Sequence, residues 1–396
     1  MRRILRVLTR PNVGGPTRQA LALHAPLRVL GWQTLLVVGR CEGEAALDPA
    51  DQGLERLSYA EVLRRGPEAE GYVEVAELRR SLHPLRDLRA AWALRGLTRA
   101  FRPDVVHTHQ SKAGVLARRA AWRERVGTVA HTFHGHVLQD YFVRPFARWI
   151  RRIERQLAGR TTLLCAVSPS CRSELAALGV AAAERIHVVA PAIELAPFAA
   201  IPRAAARAAL GIPEPALVLG FVGRLVPIKR PDLFAEVVRR IPQAVALVLG
   251  EGSERAVLTP LGPRLHALGA VPEPWRHLSA CDVLVLASER EGCPLVAIEA
   301  FAAGVPVVGF DVPGIRDALD TWGAGLLVPR AAGVEGLVAA VRRLREEPAL
   351  AAGLVARARR GLDRFAPAAV AQELARLYGL AEGVRPGAGR RARGSP

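Results

Sequence analysis

The 396-residue chain is 50% hydrophobic and 23% charged with a net charge of +18, which excludes a disordered or fibrous protein and suits two or three domains of ~150 residues. No apolar run approaches the ~18 residues of a membrane-spanning helix, and the opening MRRILRVLTR has too short an apolar core for a signal peptide. Five cysteines with no C-x-x-C fit a reducing compartment better than a disulfide framework, so a cytoplasmic chain is expected.

The first half alternates short β-branched or apolar runs with Ala/Leu/Arg stretches of helical length. Strands are predicted at Ile4–Thr9, Thr34–Gly39, Asp104–His107, Thr128–Thr132 and Thr162–Val167, with a helix such as Ser111–Ala121 between them. This alternation predicts a parallel sheet covered by helices on both faces. In Tyr141–Leu157, Phe142, Phe146, Trp149, Ile150, Ile153 and Leu157 recur at helical spacing, opposite Arg144, Arg148, Arg151, Arg152 and Arg155. Two readings of this helix stay open: lying on an anionic bilayer surface, or packing on the core with its arginines in water. A Pro/Ala-rich stretch from Ile186 to Pro215 reads as a linker. The strand pattern then restarts at Leu217–Val222, Val245–Leu249, Val283–Leu286, Val305–Val308 and Leu326–Val328. Two doubly wound α/β domains facing one another place a cleft between the carboxyl ends of their sheets, where such folds bind ligands. The tail from Arg385, RPGAGRRARGSP, has no apolar period and reads as disordered.

Two segments of the second half carry the most chemistry. In EGCPLVAIEA, Glu291 and Glu299 flank Gly292, Cys293, Pro294 and Leu295. Pro294 suits a helix start, a helix over Leu295–Ala303 ends at Gly304, and backbone N–H groups near Cys293–Val296 can meet a phosphate or sugar oxygen. The two glutamates are then placed to hold two sets of sugar hydroxyls. In VGRLVPIKR, Arg224 and Lys229 follow a strand across a proline turn, so both can reach one anion. Lysine occurs only at Lys112 and Lys229, against 53 arginines, so a compact ammonium at Lys229 is worth noting. A diphosphate leaving group needs such positive charge as its bond breaks, and no D-x-D is present to hold a metal on it.

These two motifs, in this order and separation, resemble the donor half of the retaining glycosyltransferases of family 4, and the resemblance covers residue 4 to about 380. It implies a GT-B fold of two Rossmann-like domains: an acceptor-side domain at 1–190 and a nucleotide-sugar domain at 191–366. A helix at 367–381 would cross back to the first domain, ahead of a basic tail at 382–396. It further implies that Glu291 contacts the donor sugar, Glu299 the ribose, and Arg224 and Lys229 the diphosphate. Gly14 and Gly15, in GGPTR, resemble the loop that closes on that diphosphate.

Half of the ten histidines cluster as His107, His109, His131, His134 and His136. H-x-H occurs twice, yet few carboxylates and no cysteine accompany it, so hydrogen-bonded histidines at strand ends are favoured over a metal site. FHGH resembles the family segment whose histidine lies beside the donor sugar, which puts His134 at the reaction centre without making it a nucleophile. The expected partners are a nucleotide-diphosphate sugar, most simply a UDP-sugar, a glycan or lipid-linked acceptor, and an anionic membrane surface through Tyr141–Leu157. No metal, cofactor or specific nucleic acid is expected. The rivals are a sugar-nucleotide epimerase on the same fold and a non-catalytic protein binding anionic lipid or nucleic acid. Departures from the family pattern are Ala192, where relatives show glycine, and Pro313, which replaces the first of a glycine pair. Trp275 and Leu268–Val271 are placed near the nucleotide base.

Overall fold

The computed structural model describes residues 1–43, 45–135, 144–320 and 323–383. The first sheet is built from β1 (Arg2–Leu8), β2 (Trp32–Val38), β3 (Arg56–Leu57), β4 (Gly71–Glu74), β5 (Val105–His109), β6 (Thr128–Phe133), β7 (Leu163–Ala166) and β8 (Ile186–Val188). All its pairings are parallel, in the order β3-β4-β2-β1-β5-β6-β7-β8. Alternation along β1 sends Leu5 and Val7 to one face and Ile4 to the other, so both faces are buried. Helices α1 (Gly15–Ala22), α2 (Tyr59–Arg65), α3 (Pro84–Phe101), α4 (Ser111–Arg123), α5 (Arg144–Arg160) and α6 (Pro169–Ala177) belong to this half.

The second sheet contains β9 (Leu217–Val222), β10 (Ala244–Leu249), β11 (Leu265–Gly269), β12 (Val283–Leu286), β13 (Val307–Phe310) and β14 (Leu326–Val328), parallel throughout in the order β11-β10-β9-β12-β13-β14. Its helices include α7 (Leu295–Ala302) and α8 (Ile315–Asp320). A last helix, α9 (Pro367–Gly383), returns to the first domain, where Val370, Leu374, Leu377 and Tyr378 join Ile4, Val105 and Leu163 in one core.

Each sheet reverses strand order once beside its first strand, between β1 and β5 and between β9 and β12. The loops leaving those strands diverge there, and the gap between them is where such sheets hold ligands. Gly14–Gly15 follows β1, Gln110 follows β5, Arg224 follows β9 and Ser288–Glu291 follows β12. The elements that carry the motifs are therefore the ones that open the two crevices.

Several elements differ from expectation. The stretch read as a linker is folded: Ile186–Val188 is an edge strand, and a helix at Arg203–Leu210 buries Arg207 against Asp282 (2.7 Å) and the carbonyls of Ala280, Glu214 and Ala216. Alanine makes that helix, and one arginine saturated with acceptors anchors it, which a composition reading misses. Strands β3, β4 and β11 were not anticipated because they are short or carry Gly, His or Arg. The basic tail lies outside the described residues from 384 onward.

Candidate active site

The segment after β12 makes the floor of the cleft. Pro294 caps α7 without a side-chain cap and no acid occupies the first turn; the Ala297 N–H turns back to the Pro294 carbonyl at 3.0 Å, and the helix start carries no side-chain acceptor of its own. Glu291 precedes the helix and Glu299 lies just over one turn into it. The backbone here is pressed against the other domain. A Cβ on Gly292 would come within 2.4 Å of the His134 carbonyl oxygen. Ser168 Oγ donates to the Gly292 carbonyl at 2.7 Å, and the Ser170 N–H at the start of α6 donates to Asp317 Oδ2 of α8 at 2.9 Å. Gly314, at φ +80°, supports the same segment from behind, where a Cβ would come within 2.3 Å of the Glu291 carbonyl. Pro313 fits this loop, its carbonyl accepting from the Glu291 N–H at 3.4 Å.

The acidic and basic side chains of the cleft are joined in pairs. Lys229 Nζ bonds Glu291 Oε1, and Ser288 Oγ donates to the same oxygen at 2.8 Å. Glu299 is 2% exposed and takes Arg18 Nη1 of α1 at 2.5 Å, across the domain boundary. Burial pushes the Glu299 carboxyl above its usual range, and Arg18 pulls against that shift. Arg224 is exposed and has no ion pair among the described residues. A diphosphate between the two domains would thus meet one free guanidinium, one ammonium shared with a carboxylate, and a helix N-terminus.

The glycine loop acts by closeness rather than by unusual dihedrals. Gly14 is the N-cap of α1 with extended backbone (φ −177°), and neither it nor Gly15 adopts positive φ. A Cβ on Gly15 would stand 3.3 Å from Leu295 Cδ1, so the loop touches the start of α7. The expected freedom of a glycine turn is replaced by a steric requirement for a thin backbone between the domains.

On the first domain, His134 follows β6 and its Nε2 is 2.9 Å from His109 Nδ1. His109 stacks on His107 at 4.4 Å between ring centroids. His107 bonds Tyr378 Oη of α9 at 2.6 Å and Thr132 Oγ1 at 2.8 Å, and its strand neighbour in register is the buried Arg6. His131 instead bonds Thr108 Oγ1 at 2.8 Å, away from the cleft chain. Burial drives His107 and His134 down to about 3 and His109 and His131 well below their ordinary value. These imidazoles are therefore neutral near pH 7. His109 Nε2 is buried with no hydrogen-bond partner among the described residues. His136 lies outside the described residues.

Cys293 belongs to the floor and is half-buried, and its low-dielectric surroundings push the thiol up to about 12, which disfavours a thiolate. Trp275 packs edge-on against Phe198 at 6.1 Å. Residues 136–143, with Tyr141, Phe142 and Val143, are outside the described region. In α5, Leu157 and Ala158 are buried, Ile150 packs on the same core, and Glu154 pairs with the buried Arg118 at 2.6 Å. Of the described residues of that stripe, Leu157 is spent on the interior, Ile150 and Ile153 are half-buried, and Trp149 is 56% exposed. The participants not anticipated from sequence are Arg18 as the partner of Glu299, Ser168, Ser288, Asp317 and Tyr378. Arg18 alone had a local signal, its place in GGPTR.

Comparison with known proteins follows the same outline. The chain matches the family models described as Glycosyltransferase Family 4 over residues 13–196 and as Glycosyl transferases group 1 over residues 202–361. It is 33% identical over 311 residues to a D-inositol 3-phosphate glycosyltransferase of Kineococcus radiotolerans, covering 69% of this chain and 71% of that one. The corresponding protein of Saccharomonospora viridis is 32% identical over 290 residues, 66% of each chain. Among solved structures, sucrose-phosphate synthase from Thermosynechococcus elongatus superposes with a TM-score of 0.78 at 21% identity, over 97% of this chain and all of that one. Anabaena HepE in complex with UDP-glucose superposes with a TM-score of 0.75 at 18% identity, over 96% of this chain and 100% of that one. Two parallel-sheet domains in the GT-B arrangement, a cleft lined from both, and relatives of this identity and coverage lead to one conclusion: the chain belongs to glycosyltransferase family 4 and is a glycosyltransferase.

Proposed function

We propose that the protein transfers a sugar from a nucleotide-diphosphate sugar, a UDP-sugar foremost, to a hydroxyl of a glycan or lipid-linked acceptor, without a metal and with retention of the anomeric configuration. The observation that carries this reading is Glu299. It is a nearly fully buried carboxyl at the cleft floor whose recorded side-chain partner is an arginine from the opposite domain. A ribose with two hydroxyl donors satisfies such a group better than one exchangeable side chain does.

In this reading the diphosphate takes Arg224, Lys229 and the amides at the start of α7, while Glu291 and His134 hold the sugar hydroxyls. The Lys229–Glu291 pair is then a resting contact, opened as the ammonium turns to the phosphates and Glu291 to the sugar. Positive charge around the diphosphate offsets the negative charge that grows as the glycosidic bond breaks, so the barrier falls more than the binding energy does. A neutral His134 suits an oxocarbenium-like transition state, because an imidazolium there would repel it. The acceptor hydroxyl attacks from the face the diphosphate leaves, and its proton passes to the departing phosphate oxygen. UDP-glucose in the HepE structure supports the choice of donor class.

The test is a thermal-shift panel of UDP, GDP, ADP and CDP, followed by product analysis with the sugar nucleotide of the base selected. Ligand at a hundred times its Kd stabilises by about 2.7 kcal/mol. The expected result is a shift from UDP that Glu299→Ala removes, and an α-linked product from an α-linked donor, with inositol 3-phosphate and lipid-linked sugars in the acceptor panel. Indifference to every nucleotide, a β-linked product, or an epimerised donor formed without acceptor would each overturn the reading.

A further inference from the structure

The histidine chain of the first domain ends on a pair of imidazoles whose protons follow from their surroundings. His109 Nδ1 and His134 Nε2 are 2.9 Å apart and both rings are neutral, so one nitrogen donates the shared hydrogen and the other accepts it. Each neutral ring has a single N–H, which leaves two arrangements. In the first, His109 donates from Nδ1, its Nε2 is a bare lone pair, and the hydrogen of His134 sits on Nδ1. In the second, His134 donates from Nε2, its Nδ1 is bare, and the hydrogen of His109 sits on Nε2.

The surroundings of His109 decide between them. The residue is 1% exposed, and the protein offers its Nε2 no hydrogen-bond partner among the described residues. The second arrangement therefore buries an N–H with no acceptor, the rarer and costlier kind of orphan. The ring is held in place rather than free to seek another partner. It stacks on His107 at 4.4 Å and 29°, and His107 is fastened at both nitrogens, to Tyr378 Oη and Thr132 Oγ1. The fixed charge beneath this layer is positive. Arg6, in register with His107 on the neighbouring strand, is buried, bonds the Ala20 carbonyl and His24, and has no carboxylate partner among the described residues. Its charge bears on His109, and a bare lone pair is better tolerated there than an N–H aimed at no acceptor.

We infer that His109 is a positioning residue: its Nδ1–H donates to His134 Nε2 and fixes the proton of His134 on Nδ1, the nitrogen left to meet the donor sugar. This rests on the reading that places His134 at that sugar, and it gives the contact a direction. His134 Nδ1 has no partner among the described residues, and the His134 carbonyl lies against Gly292, next to Glu291. A carboxylate such as Glu291 can only accept hydrogen bonds, so a donating His134 supplies the complementary contact. A donor sugar without an oxygen at that position leaves the N–H unpaired, and the wall thereby discriminates against deoxy-sugars there.

The test is nitrogen-15 NMR of the ligand-free full chain labelled at its ten histidines, with the His134 signals assigned as those lost in His134→Gln. The expected wild-type pattern has His134 protonated at Nδ1 and bare at Nε2. Three variants then separate positioning from packing. His109→Asn keeps a donor near the Nδ1 position and should retain kcat within about threefold. His109→Asp offers only an acceptor, moves the His134 proton to Nε2, and should lower kcat by about tenfold or more. His109→Phe fills the space without a hydrogen bond and should fall as far. Donor KM should stay within about twofold throughout, because Arg224, Lys229 and Glu299 are untouched. The nucleotide-induced thermal shift reports that each variant is folded, and the wild-type spectrum decides the tautomer without any variant at position 109. The inference is overturned if wild-type His134 carries its proton on Nε2, a result that leaves the donor-site reading standing. It is overturned as well if His109→Phe outperforms His109→Asn, the order that packing alone predicts, or if His109→Asp keeps the wild-type kcat. Indifference to every nucleotide would instead sink the donor-site reading and the role at the sugar with it, a failure that the ligand-free spectrum keeps distinct.

Discussion

The two walls of the cleft share a topology and use opposite electrostatics. The second-domain wall is charged: Arg224, Lys229, Glu291 and Glu299 come from two loops and one helix turn, with Lys229–Glu291 paired within the wall and Glu299 held by Arg18 across the cleft. Apart from Arg18, the first-domain wall is neutral and deeper, with His134 on His109, His109 stacked on His107, and His107 on Tyr378. A charge taken from water costs several kcal/mol unless paired, so the charged groups of the second wall stay near the surface or hold an exchangeable partner. A neutral imidazole costs far less to bury, so the histidine wall extends into the core and is anchored by a helix from the other end of the chain. One wall can bind a charged donor, and the other can position an uncharged sugar face without adding charge to it.

Removing charge from the second wall should have the largest effect. Lys229→Ala and Glu299→Ala are each expected to lower kcat/KM by about 10²–10³. Retention of activity within a few-fold in both would mean that this wall does not do its work through charge.

The neutral wall has a pH signature. His107 and His134 of the wall have folded values near 3 and His109 lies well below 6.5; the buried His131 outside the wall, and His24 against Thr34 and Arg6, are lowered in the same way. The folded protein binds fewer protons than the unfolded chain, so this stabilisation is complete above about pH 6.5 and is lost as pH falls toward 3. Each buried imidazole contributes about 1.4 kcal/mol per pH unit in that interval. Denaturant titrations at successive pH values should show stability falling steeply below pH 6. A flat profile down to the carboxylate range would show that the histidine wall is solvated.

Smaller effects test the bridge between the walls. Arg18→Ala leaves the Glu299 carboxyl buried and unpaired, and should cost about 1–3 kcal/mol of ligand-free stability. With its basic partner gone, the carboxyl moves further up, so nucleotide binding should become more pH-dependent. If Arg18→Ala is silent in both measurements, the domains are not held together through Glu299. Smallest of all, Tyr378→Phe should cost about 0.5–1.5 kcal/mol and lower kcat several-fold at unchanged donor KM, because it frees His107 without touching the second wall. A change in donor KM instead would tie α9 to the nucleotide rather than to His134.

How far each wall could be read in advance follows the same division. Arg224 with Lys229, and Glu291 with Glu299, each lie within one segment whose strand-turn-helix character was legible; that Lys229 meets Glu291 depends on β9 and β12 being neighbours in the sheet. The doubly wound pattern was legible too, because short Val/Leu runs ending in glycine and alternating with helical stretches suit buried parallel strands. The folded segment around Arg207 was not, since its stability rests on one arginine reaching Asp282 some seventy residues away. The amphipathic stretch Tyr141–Leu157 left a surface and a core reading open; Leu157 is buried and Ile150 packs on the core, while Trp149 is 56% exposed.

Sequence alone determined the class of fold, the central strands of both sheets, and the two segments whose residue types suit a diphosphate and sugar hydroxyls, because these depend on local pattern and chemical identity. Only the tertiary structure decided that Arg18 meets Glu299, that Tyr378 closes the histidine chain, and which part of the α5 stripe faces water. Those facts depend on strand order within the sheets and on how the two domains and the returning helix come together. Such contacts join residues up to 281 positions apart, and no periodicity along the chain encodes them.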